Sequence, residues 1–81
     1  MRYAEQLRAA RSLLGWSQEQ LAQRAEVGVA TIRRMEAQDG PIRGISETIW
    51  RLQSCLENAG VVFILADEVM GPGVRLAARR E

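Results

Sequence analysis

The chain contains no histidine, a single cysteine and two prolines, and its only aromatics are two tryptophans, one tyrosine and one phenylalanine. One cysteine rules out an internal disulfide. Without histidine, a metal site would have to be built from Cys55 and carboxylates. No Ser/His/Asp or Cys/His nucleophile can be assembled. The paired acids Asp67 and Glu68 fall in an expected loop with nothing to hold them against a substrate, so an enzyme is the most distant class and no cofactor is expected. The longest apolar run, Val61 to Ala66, is far below membrane-spanning length. The opening MRYAEQLRAA lacks the apolar block of a secretory signal. The expectation is a cytoplasmic protein with no membrane partner.

At 81 residues, 47% hydrophobic and 26% charged, the chain has room for one folded domain. So short a chain buries a modest share of its surface, and self-association is expected to add stability. The formal net charge of +1 is a weak global signature for nucleic acid. The distribution is uneven: residues 1–44 hold seven arginines against five acids, and residues 45–81 hold four against five. All eleven basic residues are arginine. Arginine suits forked contacts to phosphate or guanine, although the bias is equally compatible with genome composition.

Tyr3, Leu7, Ala10 and Leu14 mark one face of a helix over about Arg2–Leu14, with Gly15 as its stop. Arg2, Glu5, Arg8 and Glu19 are expected to face water or a phosphate backbone. Ser17 is positioned to cap the next helix, Gln20 to complete the capping box, and Trp16 and Leu21 to form a hydrophobic staple. Leu21, Ala22 and Ala25 keep helical spacing, Glu26–Gly28 breaks it, and Ile32 and Met35 resume it. Two short helices joined by a tight turn are a helix-turn-helix; any other helical hairpin would share the spacing.

The second helix of the pair is expected over about Val29–Ala37, leaving Val29, Ala30, Arg33 and Arg34 near the outer face. Its N-terminal end suits the approach of a phosphate. Val29 or Ala30 fits against a thymine methyl, and Arg34 fits guanine O6 and N7. The plain alternative for Arg33 and Arg34 is a solvated pair or an ion pair with Glu36. Arg43, in the turn-rich loop Gln38–Gly44, is either a phosphate contact or a solvated arginine.

Ser46 is expected to cap a further helix with Ile49, Leu52, Leu56 and Ala59 inward and Gly60 as its stop. Cys55 beside that face is read as a buried small hydrophobe ahead of a redox sensor. Trp50 lies on another face and needs a partner, either the first helix or a second subunit. Val61–Leu65 and Val74–Ala78 read as strands, with the turn at Gly71-Pro72-Gly73. A lone hairpin is marginal and its edges invite pairing. Two hairpins are therefore expected to meet in a two-fold dimer, with Trp50, Val61, Val62, Phe63, Ile64, Leu65, Val74 and Leu76 at the interface. A monomer with a frayed tail is the alternative.

The segment LLGWSQEQLAQRAEVGVATIRRMEA resembles the helix-turn-helix of Cro/Xre-type bacterial and phage repressors, over roughly Leu7 to Ala59. Gln18 opens the first motif helix, Ala22 sits at the crossing, and Thr31, Ile32 and Glu36 form the T-I-x-x-x-E ending. The tail VVFIL…GPGVRL is similar to that of a short bacterial branch with a C-terminal extension. The resemblance implies a mainly α, lambda-repressor-like bundle of four to five helices with a C-terminal β-hairpin. Residues 1–60 would be the DNA-binding domain and 61–81 the dimerising hairpin. It implies a transcriptional regulator, a repressor, that binds double-stranded DNA as a homodimer. Ser17 and Gln18 would contact phosphate or sugar, Gly28, Val29, Ala30, Arg33 and Arg34 would occupy base-reading positions, and Thr31 would lie near the backbone. Glu36 would hold the loop after the recognition helix. Glu26 departs from the usual turn glycine, Gly28 from the usual capping serine, and Val29 from a polar or basic residue. Sequence reading then shifts toward Arg33, Arg34 and DNA shape. An antitoxin-like or adaptor protein, lending its tail strand to a protein partner's sheet, is the alternative function.

Overall fold

A computed structural model describes residues 1–78. Four helices, α1 (Ala4–Leu14), α2 (Gln18–Ala25), α3 (Val29–Glu36) and α4 (Ser46–Asn58), precede two strands, β1 (Val61–Ile64) and β2 (Gly73–Leu76). The protein is a mainly helical helix-turn-helix bundle closed by an antiparallel hairpin.

Local chemistry sets the helix ends. Gly15 takes φ 70°, and the N–H groups of Gly15 and Trp16 bond back to Ser12 and Arg11, closing α1 in a left-handed cap. Ser17 and Gln20 cap α2 reciprocally: Ser17 Oγ accepts from the Gln20 N–H at 3.0 Å, and Gln20 Oε1 accepts from the Ser17 N–H at 2.8 Å. Glu26 ends α2 at φ 58°, a conformation that costs a residue bearing a Cβ about 1–2 kcal/mol. Gly28 precedes α3 in extended backbone without a side-chain cap.

The helix expected to be capped by Ser46 starts one residue earlier. Ile45 is the extended N-cap residue, and its carbonyl accepts the Ile49 N–H at 3.1 Å. Ser46 is thus the first helical residue, and its hydroxyl makes no cap.

Leu7, Leu21, Ile32, Leu52 and Leu56 are the largest fully buried side chains, so every helix contributes to one core. Each such residue is worth about 1.5–3 kcal/mol of transfer free energy. Ala22 and Ala25 are buried in the same core on the inner side of α2, which packs against α3 and α4.

The hairpin shares that core. Val61 is buried in it, and Phe63, Val74 and Leu76 pack against it. Val61 pairs with Leu76 and Phe63 with Val74, so the inward residues lie side by side. Val62 and Ile64 alternate outward, with exposures of 38% and 36%. Leu65 falls beyond β1 and is exposed. The expected reversal at Gly71-Pro72-Gly73 is corrected: Gly73 lies within β2, paired with Ile64. The chain turns instead at Asp67–Met70, where the Asp67 N–H bonds to the Met70 carbonyl at 2.8 Å. Asp67 Oδ1 accepts from the Met70 and Val69 N–H groups at 2.7 and 2.8 Å, which holds its carboxyl below the usual value. The last three residues of the expected 61–81 element lie outside the described residues.

Gln6 joins the hairpin to α1. Its buried amide donates to the carbonyls of Gly73 at 3.0 Å and Ile64 at 3.3 Å, while Oε1 accepts from the Arg2 and Tyr3 N–H groups. Two donors and an acceptor oxygen are all used, as a buried amide requires.

Candidate nucleic-acid interface

The outer face of α3 is formed by Ala30, Arg33, Arg34 and Ala37, all exposed, at the i, i+3, i+4, i+7 spacing of one helical stripe. Ile32, Met35 and Glu36 face the interior. Gly28 is exposed, and Val29 and Thr31 are half-buried at the start of the helix. Of the residues expected at base-reading positions, Gly28, Ala30, Arg33 and Arg34 are exposed, whereas Val29 packs partly against the core; Ser17 is exposed at the start of α2.

Their electrostatic environments differ. Arg33 Nη2 bonds Glu19 Oε2 at 2.8 Å across the α2–α3 pair. The Glu19 carboxyl is held below its usual value by its own backbone N–H at the start of α2 and by the Arg33 guanidinium. Arg34 has no hydrogen bond or ion pair among the described residues. Arg43 is exposed in the loop after α3 and is likewise unpaired among the described residues. Arg24 is drawn onto the Trp16 ring, 4.5 Å from its centroid.

Glu36 is not the partner of Arg33 or Arg34. It is buried, and its carboxylate takes a forked pair of bonds from Arg11, Nε to Oε2 at 2.9 Å and Nη2 to Oε1 at 2.8 Å. These bonds raise the pKa of Arg11. Gln18 Nε2 donates to Glu36 Oε1 at 3.0 Å, so the amide expected on DNA is already committed in part to the interior. Arg8, expected to face water or phosphate, instead donates to the carbonyls of Glu36 and Gln38 and to Asp39 Oδ1. Arg8 and Arg11 together fix the end of α3 against α1, which aims its outer stripe.

The residues expected at a dimer interface divide into two groups. Val61, Phe63, Val74 and Leu76 face the chain's own core, whereas Val62, Ile64 and Leu65 are exposed. Trp50 is 67% exposed, so the first helix does not cover it. Sequence reasoning missed Gln6, Arg8 and Arg11 as positioning residues and the pairing of Glu19 with Arg33.

Two short helices crossed about a tight turn, with an accessible second helix, define a helix-turn-helix domain, a DNA-binding class. The model of a helix-turn-helix domain family matches residues 2–43, just over half of the chain. The chain belongs to that family. A search of curated proteins finds no match. No described helix is long and apolar enough to cross a membrane.

Proposed function

We propose that the protein is a sequence-specific transcriptional regulator, a homodimeric cytoplasmic repressor that reads a pseudo-palindromic operator through the major groove. The observation that carries this reading is the exposed stripe Ala30, Arg33, Arg34 and Ala37, with Arg34 unpaired among the described residues on a helix held from behind by Arg11 and Glu36. The bare backbone of Gly28 and the methyl group of Ala30 let the start of α3 approach a groove floor, Ser17 and Arg43 contact phosphates, and Arg34 reads guanine. Two copies join through the outward face of the hairpin and set half-sites about 10 base pairs, or a multiple, apart.

Val62, Ile64, Leu65, Val69 and Met70 favour a second reading, because so much exposed apolar surface on and beside a strand suits addition to a partner protein's sheet. Selection of bound duplexes from randomised DNA, with mass measurement of the complex, separates the two. Enrichment of a two-fold motif by a dimer supports the regulator. A stoichiometric second protein, with no enriched sequence, supports the adaptor.

A further inference from the structure

Glu19 stands in the first turn of α2, where an acid favours the helix dipole. That role requires nothing from α3. Yet its carboxylate reaches Arg33 on the neighbouring helix at 2.8 Å, with both side chains more than half exposed. The contact therefore sits on the accessible α2–α3 surface. On that surface Arg33 and Arg34 are adjacent in sequence and alike in chemistry, but among the described residues only Arg33 is paired with an acid.

We infer that Glu19 is a specificity determinant of the DNA-binding surface: by cancelling the charge of Arg33 it suppresses sequence-independent attraction to phosphates and leaves Arg34 as the effective arginine of α3. The inference rests on the DNA-binding reading above. An exposed ion pair is easily parted, so Glu19 does not act by clamping Arg33. Its effect is one of charge. Whether or not the pair opens on DNA, a carboxylate remains beside the phosphates, and Arg33 and Glu19 together release no net counterion. Affinity for any duplex falls as the number of neutralised phosphates falls, whereas a forked contact from Arg34 to guanine depends on geometry and is retained. The pair thus lowers the background against which the preferred sequence competes.

The test is the salt dependence of binding to a mixed-sequence duplex of about three helical turns, followed by fluorescence anisotropy. For Glu19→Gln the slope of log affinity against log salt should steepen by about 0.9 for each protomer on the duplex, and affinity near 0.1 M salt should rise about five- to tenfold per protomer. Adding Arg33→Gln to Glu19→Gln should return the slope to the parent value. A far-UV spectrum matching the parent confirms that each variant is folded. Parent and Glu19→Gln proteins with equal slope and affinity would overturn the role of Glu19 and leave the DNA-binding reading standing. Absence of binding to any duplex at low salt, by parent and variants alike, would overturn both.

Discussion

Arg11 and Glu36 lie fork to fork, joined by bonds of 2.9 and 2.8 Å, and tie the last turn of α1 to the end of α3. The Glu36 side chain is 4% exposed and that of Arg11 21%. A carboxylate this buried is tolerable only while paired. Arg11→Met should therefore cost about 3 kcal/mol in chemical denaturation, because it leaves the buried Glu36 carboxyl without its cation and with only the Gln18 amide as a donor. Adding Glu36→Leu should recover most of that loss, since apolar residues often replace a buried pair at little cost. Equal destabilisation in the single and double variants would show that the loss does not come from an unpaired Glu36 carboxylate.

Glu26 pays for the turn of the motif with a left-handed backbone at φ 58°. Glycine takes that conformation without a Cβ penalty, at some cost in unfolded-chain entropy. Glu26→Gly is expected to stabilise the domain by about 0.5–1 kcal/mol. In a domain of this size each kcal/mol moves Tm by about 4–8 °C. A lower Tm would mean that the Glu26 side chain contributes more than its backbone costs.

The hairpin tip should depend on acid. The Asp67 carboxylate accepts from the Met70 and Val69 N–H groups, and its pKa is lowered in the fold. A lowered carboxyl pKa contributes stability above the unfolded value, near 4, and loses it as pH falls through the lower folded value. The Val69 and Met70 amide resonances should hold steady down to the ordinary aspartate range and shift below it. Asp67→Asn should flatten that titration. Amides that titrate identically in parent and variant would remove Asp67 from the turn.

Much of the fold is legible in sequence because it is local. The Ser17–Gln20 box, the Gly15 cap and the helical faces span a few residues each, and propensity and periodicity describe such spans; the left-handed backbone at Glu26 is signalled only by the family resemblance, which places a glycine there. The misplaced features each had a local rival. Proline and glycine at 71–73 masked Asp67, whose carboxylate builds the turn. Ser46 looked like a cap, but the chain enters α4 from Ile45. Contacts between distant residues leave no periodic trace. Gln6 meets residues 58 and 67 positions away, and Arg8 binds the loop about thirty residues on. At the candidate interface, α3 and its exposed arginines were readable, whereas the unlike surroundings of Arg33 and Arg34 were not. Glu19 lies fourteen residues from Arg33 and meets it only when the helices cross.

The outward hairpin face provides the test of assembly. Val62 and Ile64 point away from the core and Val61 and Phe63 toward it, so charge at the first two positions spares the fold. Val62→Asp with Ile64→Asp should give a monomer by light scattering, with an unchanged far-UV spectrum. Binding to a two-half-site duplex should weaken far more than binding to a single half-site. A dimer of unchanged mass would contradict the proposed hairpin interface.

Affinity of the Arg34→Ala protein, measured on the selected duplex and on mixed-sequence DNA, bears most directly on the proposal that the outer stripe of α3 reads bases. The expected result is a loss of about 1–3 kcal/mol on the selected duplex, a much smaller loss on mixed sequence, and relaxed preference at one base pair of each half-site. Equal losses on both would reduce Arg34 to a phosphate contact, and no loss on either would contradict base reading by this face of α3.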